Sequence, residues 1–264
     1  VVPSTDLART TVGRDLEIEL VEHDLKNCAT QGGARRAFLG DYGQGKTHLL
    51  DLIQQIALKK NFIVSKVVLD HSENAPSQPK RIYHAIVKNL VYPDRNEGLE
   101  GLLPLLEKGT ENPKTLEQFY LAQSKGKKET SVKAQLQAGL HLYLSPALAY
   151  LKALQNPDKL KLSKDCENIH HWSQNAKHSL LDWSVGHPTQ SNQDINNELN
   201  KIKGKFPRIY SLLDFRPWAK IYGYLLNGIS TLARSVGYSG LVIVIDEANV
   251  LSPSNLDDLR LLTN

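Results

Sequence analysis

The densest chemical pattern in the chain is Gly40-Asp41-Tyr42-Gly43-Gln44-Gly45-Lys46-Thr47. It fits the spacing glycine, four residues, glycine-lysine-threonine, that of a phosphate-binding loop. Glycines let the backbone turn so that successive N–H groups converge on phosphate oxygens. The helix that follows adds the partial positive charge of its N-terminus. In this reading Gly40, Asp41, Tyr42, Gly43, Gln44, Gly45, Lys46, Thr47 and His48 surround a nucleotide. Lys46 reaches the β- and γ-phosphates, and the Thr47 hydroxyl ligates Mg²⁺. The plain alternative is an incidental glycine-rich turn. The apolar run before the motif and the helical pattern after it count against that.

A second pattern ends at Asp246-Glu247. Leu241-Val242-Ile243-Val244-Ile245 is an apolar, β-branched run closed by two acids. Asp246 would hold Mg²⁺, directly or through water, and Glu247 would polarise the attacking water for γ-phosphate cleavage. Acids also close strands at a surface with no role, but a phosphate loop in the same chain favours the catalytic reading. Lys46 and Glu247 are the expected catalytic residues, and Thr47 and Asp246 the expected metal ligands. A third stretch, Thr11-Val12-Gly13-Arg14-Asp15-Leu16-Glu17, is a competent helix start by itself, with acids in its first turn.

Positioning these groups takes strands and helices in alternation. Val12 to Asn27 reads as a turn and then a helix, with Leu16, Ile18, Leu20, Val21 and Leu25 near helical spacing. Ala34 to Leu58 reads as strand, loop and helix, the strand centred on Ala37-Phe38-Leu39. Asn61 to Asp70 is a second strand. From about Gln78 to Tyr238 the patterns are helical: Arg81 to Leu90, Gly98 to Lys108, Leu116 to Gln123, Val132 to Gln155, His170 to Trp183 and Phe215 to Val236. Gly186 to Asn196 is polar and turn-rich. Leu241 to Ile245 suits a central parallel strand buried on both faces. The expected fold class is α/β, a P-loop NTPase-like parallel sheet core with a large helical insertion. Its expected parts are an N-terminal core segment (1–75), a mainly helical insertion (76–213) and a C-terminal core segment (214–264).

Composition narrows the classes. The chain has 264 residues, 41% hydrophobic and 23% charged, ordinary values for a globular protein and too apolar for general disorder. No apolar run approaches the ~18 residues of a membrane span. No basic-then-apolar leader opens the chain. Two cysteines, Cys28 and Cys166, lack CxxC spacing, which excludes a disulfide scaffold and a zinc ribbon. A reducing cytoplasm and no membrane partner are expected. The net charge of +4 permits nucleic acid without announcing it. There is no methionine, so a fragment is expected, with residues missing beyond Asn264.

Together, Val12-Gly13-Arg14-Asp15 with Glu17, the loop Gly40–Thr47, and Ile245-Asp246-Glu247-Ala248 resemble AAA+ ATPases of the origin-recognition and STAND-like branch. The resemblance implies that Val12, Gly13 and Arg14 sit beside the adenine. More narrowly, four stretches resemble the bacterial P-loop ATP-binding proteins of BREX-type phage-defence clusters. They are Gly40 to Leu50, Val67-Val68-Leu69-Asp70, Pro79-Lys80-Arg81-Ile82-Tyr83 to Leu90, and Gly240-Leu241 to Ala248. The AAA+ resemblance covers about 11–70 and 214–250, and the BREX resemblance adds the region to about Leu106. The two acidic and glycine-rich motifs stand about 200 residues apart, farther than the family usually allows. Sensor 1, the arginine finger and the sensor 2 lid would follow the second motif, past the end of this chain.

Other groups have weaker readings. His170, His171, His178 and His187 lie in the helical region without an acidic or cysteine partner at ligand spacing, and read as solvated or packed. Residues 101–165 hold ten lysines against six acids, densest at Ser124-Lys125-Gly126-Lys127-Lys128. This is either a nucleic-acid contact or a solvated face, and the absence of interleaved arginine or aromatic residues favours the latter. Trp172, Trp183 and Trp218 read as core. Asp70, at a strand end, is a marginal candidate for the nucleotide site.

The expected function is a Mg²⁺-dependent ATPase that couples nucleotide state to conformational change. By resemblance it acts in bacterial or archaeal phage defence or DNA processing. Its expected partners are ATP, further copies of itself, and DNA or defence-system proteins. The rival is a STAND-like nucleotide-gated switch or scaffold with little turnover. A small-molecule kinase is disfavoured by the Asp-Glu strand end. No Asn/Thr-Lys-x-Asp guanine-reading pattern is apparent, which favours ATP over GTP.

Overall fold

Successive side chains leave opposite faces of a strand, so the alternation along Ile63-Val64-Ser65-Lys66-Val67-Val68 sets the layering. The computed structural model describes residues 11–70, 77–95, 101–119, 141–162, 168–187, 192–204, 206–212 and 219–247. Its elements begin with helix α1 (Asp15–Gln31), helix α2 (Lys46–Lys59), strand β1 (Ile63–Val68) and helix α3 (Pro79–Lys88). Strand β2 (Leu90–Val91), helix α4 (Leu103–Glu111), helix α5 (Pro113–Phe119) and helix α6 (Leu144–Leu154) follow. Helices α7 (Ile169–Ser184), α8 (Asn192–Leu199) and α9 (Ala219–Ser235) and strand β3 (Leu241–Asp246) complete the order.

The fold is mixed α/β. Three strands form a mixed sheet in the order β2-β1-β3. β1 and β3 run parallel, from Ile63 opposite Leu241 to Val68 opposite Asp246, and β2 pairs antiparallel to β1. Val64 and Val244 join Val21 and Leu25 of α1 and Leu49, Ile53 and Ala57 of α2 in one buried cluster. Ile63 and Val67 belong to the larger cluster on the opposite face, with Ile82, Tyr83, Ile86 and Val87 of α3. Leu241, Ile243 and Ile245 pack against that cluster, and Val242 packs on the α1–α2 side. Val242, Val244 and Asp246 therefore share the face that α2 covers, and the strand period carries Asp246 to the helix with the loop at its start.

α6 shows why the chain between β2 and β3 holds together. Every residue from Leu144 to Leu151 is buried, as in a helix packed all round. It lies against α4, α5, α7 and α9. Trp172 and Trp183 are core, as expected. The Trp183 indole donates to the Tyr210 carbonyl at 2.8 Å, and the Tyr83 hydroxyl to the Ser184 carbonyl at 2.8 Å. His141 Nδ1 accepts the Leu144 N–H at 3.1 Å at the start of α6, and its ring stacks on Tyr224 at 4.2 Å. Gly228 is needed beside it, because a Cβ there would stand 2.1 Å from His141 Nε2. Burial holds the His141 imidazole neutral, its pKa pushed down to about 4.

Several expectations are corrected. Ala37-Phe38-Leu39 is not a strand: residues 32–41 carry neither helix nor strand, Phe38 packs half-buried on the α1–α2 cluster, and Leu39 is exposed. A strand needs a neighbour for its backbone groups, and no described strand flanks this run. β3 is parallel as expected but not central: among the described residues it pairs only with β1, and Val242, Ile243 and Ile245 stay half-buried. β2 was unforeseen, since two residues are too few to show a period. α8 begins inside the stretch read as turn-rich and runs three residues past it, burying Ile195 and Leu199 at helical spacing. The basic stretch Ser124–Lys128, the first part of the expected helix from Val132, Cys166, Trp218 and Ala248 lie outside the described residues. Among those described, no helix is long and apolar enough to cross a membrane.

Candidate functional site

Local backbone chemistry shapes the loop between residue 40 and α2. Gly43 and Gly45 have φ of 82° and 72°, the left-handed region that glycine enters without penalty. A Cβ at either would meet nothing within 4 Å, so glycine is required here by conformation and the ground above the loop is open. Gln44 closes the turn: its N–H donates to the Asp41 carbonyl at 3.4 Å, and its Oε1 accepts the Asp41 N–H at 3.1 Å. Gly45 precedes α2 and supplies no side-chain cap. The first helical bond runs from Leu49 N–H to the Gly45 carbonyl at 3.0 Å. The N–H groups of Lys46, Thr47 and His48 precede it and lack intrahelical acceptors. Lys46 Nζ donates to the Gly40 and Asp41 carbonyls at 2.8 and 2.7 Å, so the ammonium sits inside the loop. Tyr42 is fully exposed and Thr47 is exposed.

The structure brings the upstream segment to this loop. Arg14 Nη2 donates to the Gln44 carbonyl, while Nη1 donates to Glu17 Oε1 at 2.6 Å. That bond with Arg14 holds the Glu17 carboxyl below its ordinary range. Thr11 Oγ1 and His48 Nε2 are hydrogen-bonded at 2.8 Å. Gly13 takes a φ of 72° and Val12 is 88% exposed beside them. Arg36 and Asp24 form a two-pronged pair at 2.7 and 3.0 Å that ties the run before the loop to α1. The Arg36 bond lowers the Asp24 pKa.

Asp246 ends β3 nearly buried, with 8% of its surface exposed. Its Oδ1 accepts the Glu247 N–H at 3.0 Å, and its Oδ2 lies 3.8 Å from Lys66 Nζ. Lys66 also bonds Asp51 of α2. Asp51 lies four residues past Thr47, on the same helix face. Asp246 thus reaches the helix one turn beyond Thr47, through Lys66 and Asp51. Glu247 adopts a left-handed φ of 56° and is exposed. Asp70, two residues past β1, is half-buried. Lys66 and Asp51 were missed in the sequence. Their signal was a single lysine in an otherwise uncharged strand and an acid one turn after Thr47.

The histidines of the helical region do not converge. His170 faces Asp158 at 3.1 Å on the surface, His171 bonds Asn175, and His187 packs edge-on against His84. Among the described residues no group of three or more His, Cys, Asp or Glu is placed to hold a metal ion. A divalent cation at Asp246 would therefore need oxygens from another source, as phosphate-bound Mg²⁺ does.

An open glycine turn, helix N–H groups without intrahelical acceptors and an internal ammonium are donors of the kind that can receive a polyanion. No curated protein and no solved structure matches the chain. A family profile matches residues 1–260, nearly the whole length. The chain belongs to the family of BREX system ATP-binding proteins BrxC/D.

Proposed function

We propose that the chain binds ATP with Mg²⁺ at Gly40–Thr47 and hydrolyses it in the setting of a BREX phage-defence system. One observation carries this reading: Lys46 lies inside a glycine turn at the uncapped start of α2, on the sheet face that also bears Asp246. The family's printed description supports ATP as the ligand. The loop N–H groups receive the phosphates, and Lys46 exchanges the Gly40 and Asp41 carbonyls for phosphate oxygens. Thr47 and Asp246 would hold Mg²⁺, which when bound neutralises phosphate charge. Glu247 orients and polarises water as the general base. Val12, Gly13 and Arg14 flank the base, a role supported by the bond from Arg14 to the loop. We read 1–75 and 214–264 as a P-loop core of AAA+ type and 76–213 as its helical insertion. The insertion relays nucleotide state to partners, which we take to be further copies of the chain, DNA or defence-system proteins.

The exposed, left-handed Glu247 also suits a nucleotide-gated switch that holds ATP and seldom turns it over. One experiment separates the two. ATP hydrolysis is measured for wild type and Glu247→Gln across protein concentration, with and without duplex DNA. Turnover that rises with concentration or DNA and is lost in the variant establishes the ATPase. Tight binding with negligible turnover throughout establishes the switch. Absence of ATP binding overturns both.

A further inference from the structure

Lys66 is the single charged residue of β1 and is largely withdrawn from solvent, its side chain 20% exposed. It pairs in register with Val244, and Asp246 lies two residues on along the same face of β3. Its ammonium bonds Asp51 of α2 and stands 3.8 Å from Asp246 Oδ2. One positive charge therefore joins β1, β3 and α2, the helix that follows the loop. The second Asp246 oxygen is taken by the Glu247 N–H. Without this cation, the buried Asp246 and the half-buried Asp51 would face each other as uncompensated charges, which is unfavourable in a low-dielectric setting.

We propose that Lys66 is a positioning residue that acts as an internal counter-cation for Asp246, so that the site admits a divalent cation only together with nucleotide phosphate. The inference rests on the reading of Asp246 as a metal ligand. A dication arriving alone at Asp246 would meet the ammonium within a few ångströms, and among the described residues no group of three or more His, Cys, Asp or Glu is placed to offset that repulsion. Phosphate oxygens change the balance, because they supply both ligands and negative charge. Lys66 then keeps Asp51, its nearer partner, and yields Asp246. Nucleotide-free protein keeps α2 stapled to the sheet, and entry of the metal is coupled to entry of the nucleotide.

The test uses Mn²⁺ as a paramagnetic probe and follows the electron paramagnetic resonance signal of the free ion. Wild type should retain Mn²⁺ with a non-hydrolysable ATP analogue and hold it weakly without. Lys66→Met should bind Mn²⁺ without nucleotide at least tenfold more tightly than wild type, and Lys66→Arg should behave as wild type. Equal nucleotide-free affinity in wild type and Lys66→Met overturns the proposal. Should Lys66→Met lose its circular dichroism signature, Asp51→Asn serves instead. That change leaves Lys66 to Asp246 alone and should weaken analogue-dependent Mn²⁺ retention several-fold; unchanged retention overturns the proposal. Analogue binding without metal tests the loop separately. A wild type that binds no analogue, beside a Lys66→Met that gains Mn²⁺, would sink the nucleotide reading and leave the role of Lys66 standing.

Discussion

Between Gly40 and Thr47 nearly every residue is exposed, and the ammonium of Lys46 is held by two backbone carbonyls. From Leu144 to Leu151 every residue is buried, and the polar atom that starts the helix is the imidazole of His141. The loop owes its shape to glycine dihedrals and helix polarity, so it can stay open without losing form. The helical body owes its shape to interdigitated side chains, so it tolerates little change in volume. Activity and stability should therefore separate along the chain. Substitutions in the loop should abolish binding and leave folding intact. Substitutions around α6 should unfold the protein and leave the loop's chemistry unaltered wherever the fold survives.

The largest expected effect tests the loop side. Lys46→Ala should weaken ATP binding by about 100-fold or more, as expected for loss of a charge-assisted phosphate contact. The melting temperature should barely move, because the bonds lost are to exposed carbonyls. Fluorescent-nucleotide titration beside thermal melting reads both. A large drop in melting temperature would break the comparison.

Gly228→Ala tests the other side. Its Cβ would sit 2.1 Å from His141 Nε2, and Tyr224, stacked on the ring at 4.2 Å, blocks retreat toward that face. Destabilisation of about 3 kcal/mol is expected, the upper range for overpacking. Urea unfolding measures it, and nucleotide affinity of the folded fraction should match wild type.

The same histidine sharpens the contrast through pH. Its folded pKa, about 4, lies below the ordinary histidine value of 6.5 because burial penalises the charged ring. Stability from this group is complete above pH 6.5 and is lost as pH falls toward 4, since the unfolded chain takes up the proton first. Between pH 7 and pH 5 the loss should be about 2 kcal/mol. It should shrink in His141→Gln, which cannot titrate. Urea unfolding at the two pH values supplies the check.

The smallest effect returns to the loop's flank. Arg36 and Asp24 are partly exposed, at 33% and 22% of their side chains, so screening discounts their pairing. Arg36→Ala should destabilise folding by about 0.5 kcal/mol, the range of a surface ion pair. The Asp24 carboxyl, freed of its guanidinium, should titrate closer to its ordinary range, as a carboxylate-resolved NMR titration would show.

Much of the candidate site was legible because its chemistry is local. Glycines at 43 and 45, a lysine at 46 and a helix pattern from there onward suffice to specify an open turn that runs into a helix N-terminus, whatever surrounds it. The α/β class was legible in the same way, from β-branched runs at 61–70 and 241–245 and helical spacing between them. Helix limits shifted by a few residues where proline starts a helix, as at Pro79, Pro104 and Pro113. The short strand β2 was hidden because pairing with the edge of β1 decides it, not its own two residues.

What the amino-acid order determined by itself was the open loop, the acid at the end of an apolar strand and the helical character of the middle. Each follows from dihedral preference or side-chain period within a few residues. Only the tertiary structure decided that Arg14 lies on the loop, that Ala37–Leu39 forms no strand, that β3 borders β1 alone among the described residues, and that Lys66 stands between Asp51 and Asp246. Those outcomes depend on which elements become neighbours. Charge pairing and strand pairing act across space, between residues that the chain itself keeps far apart.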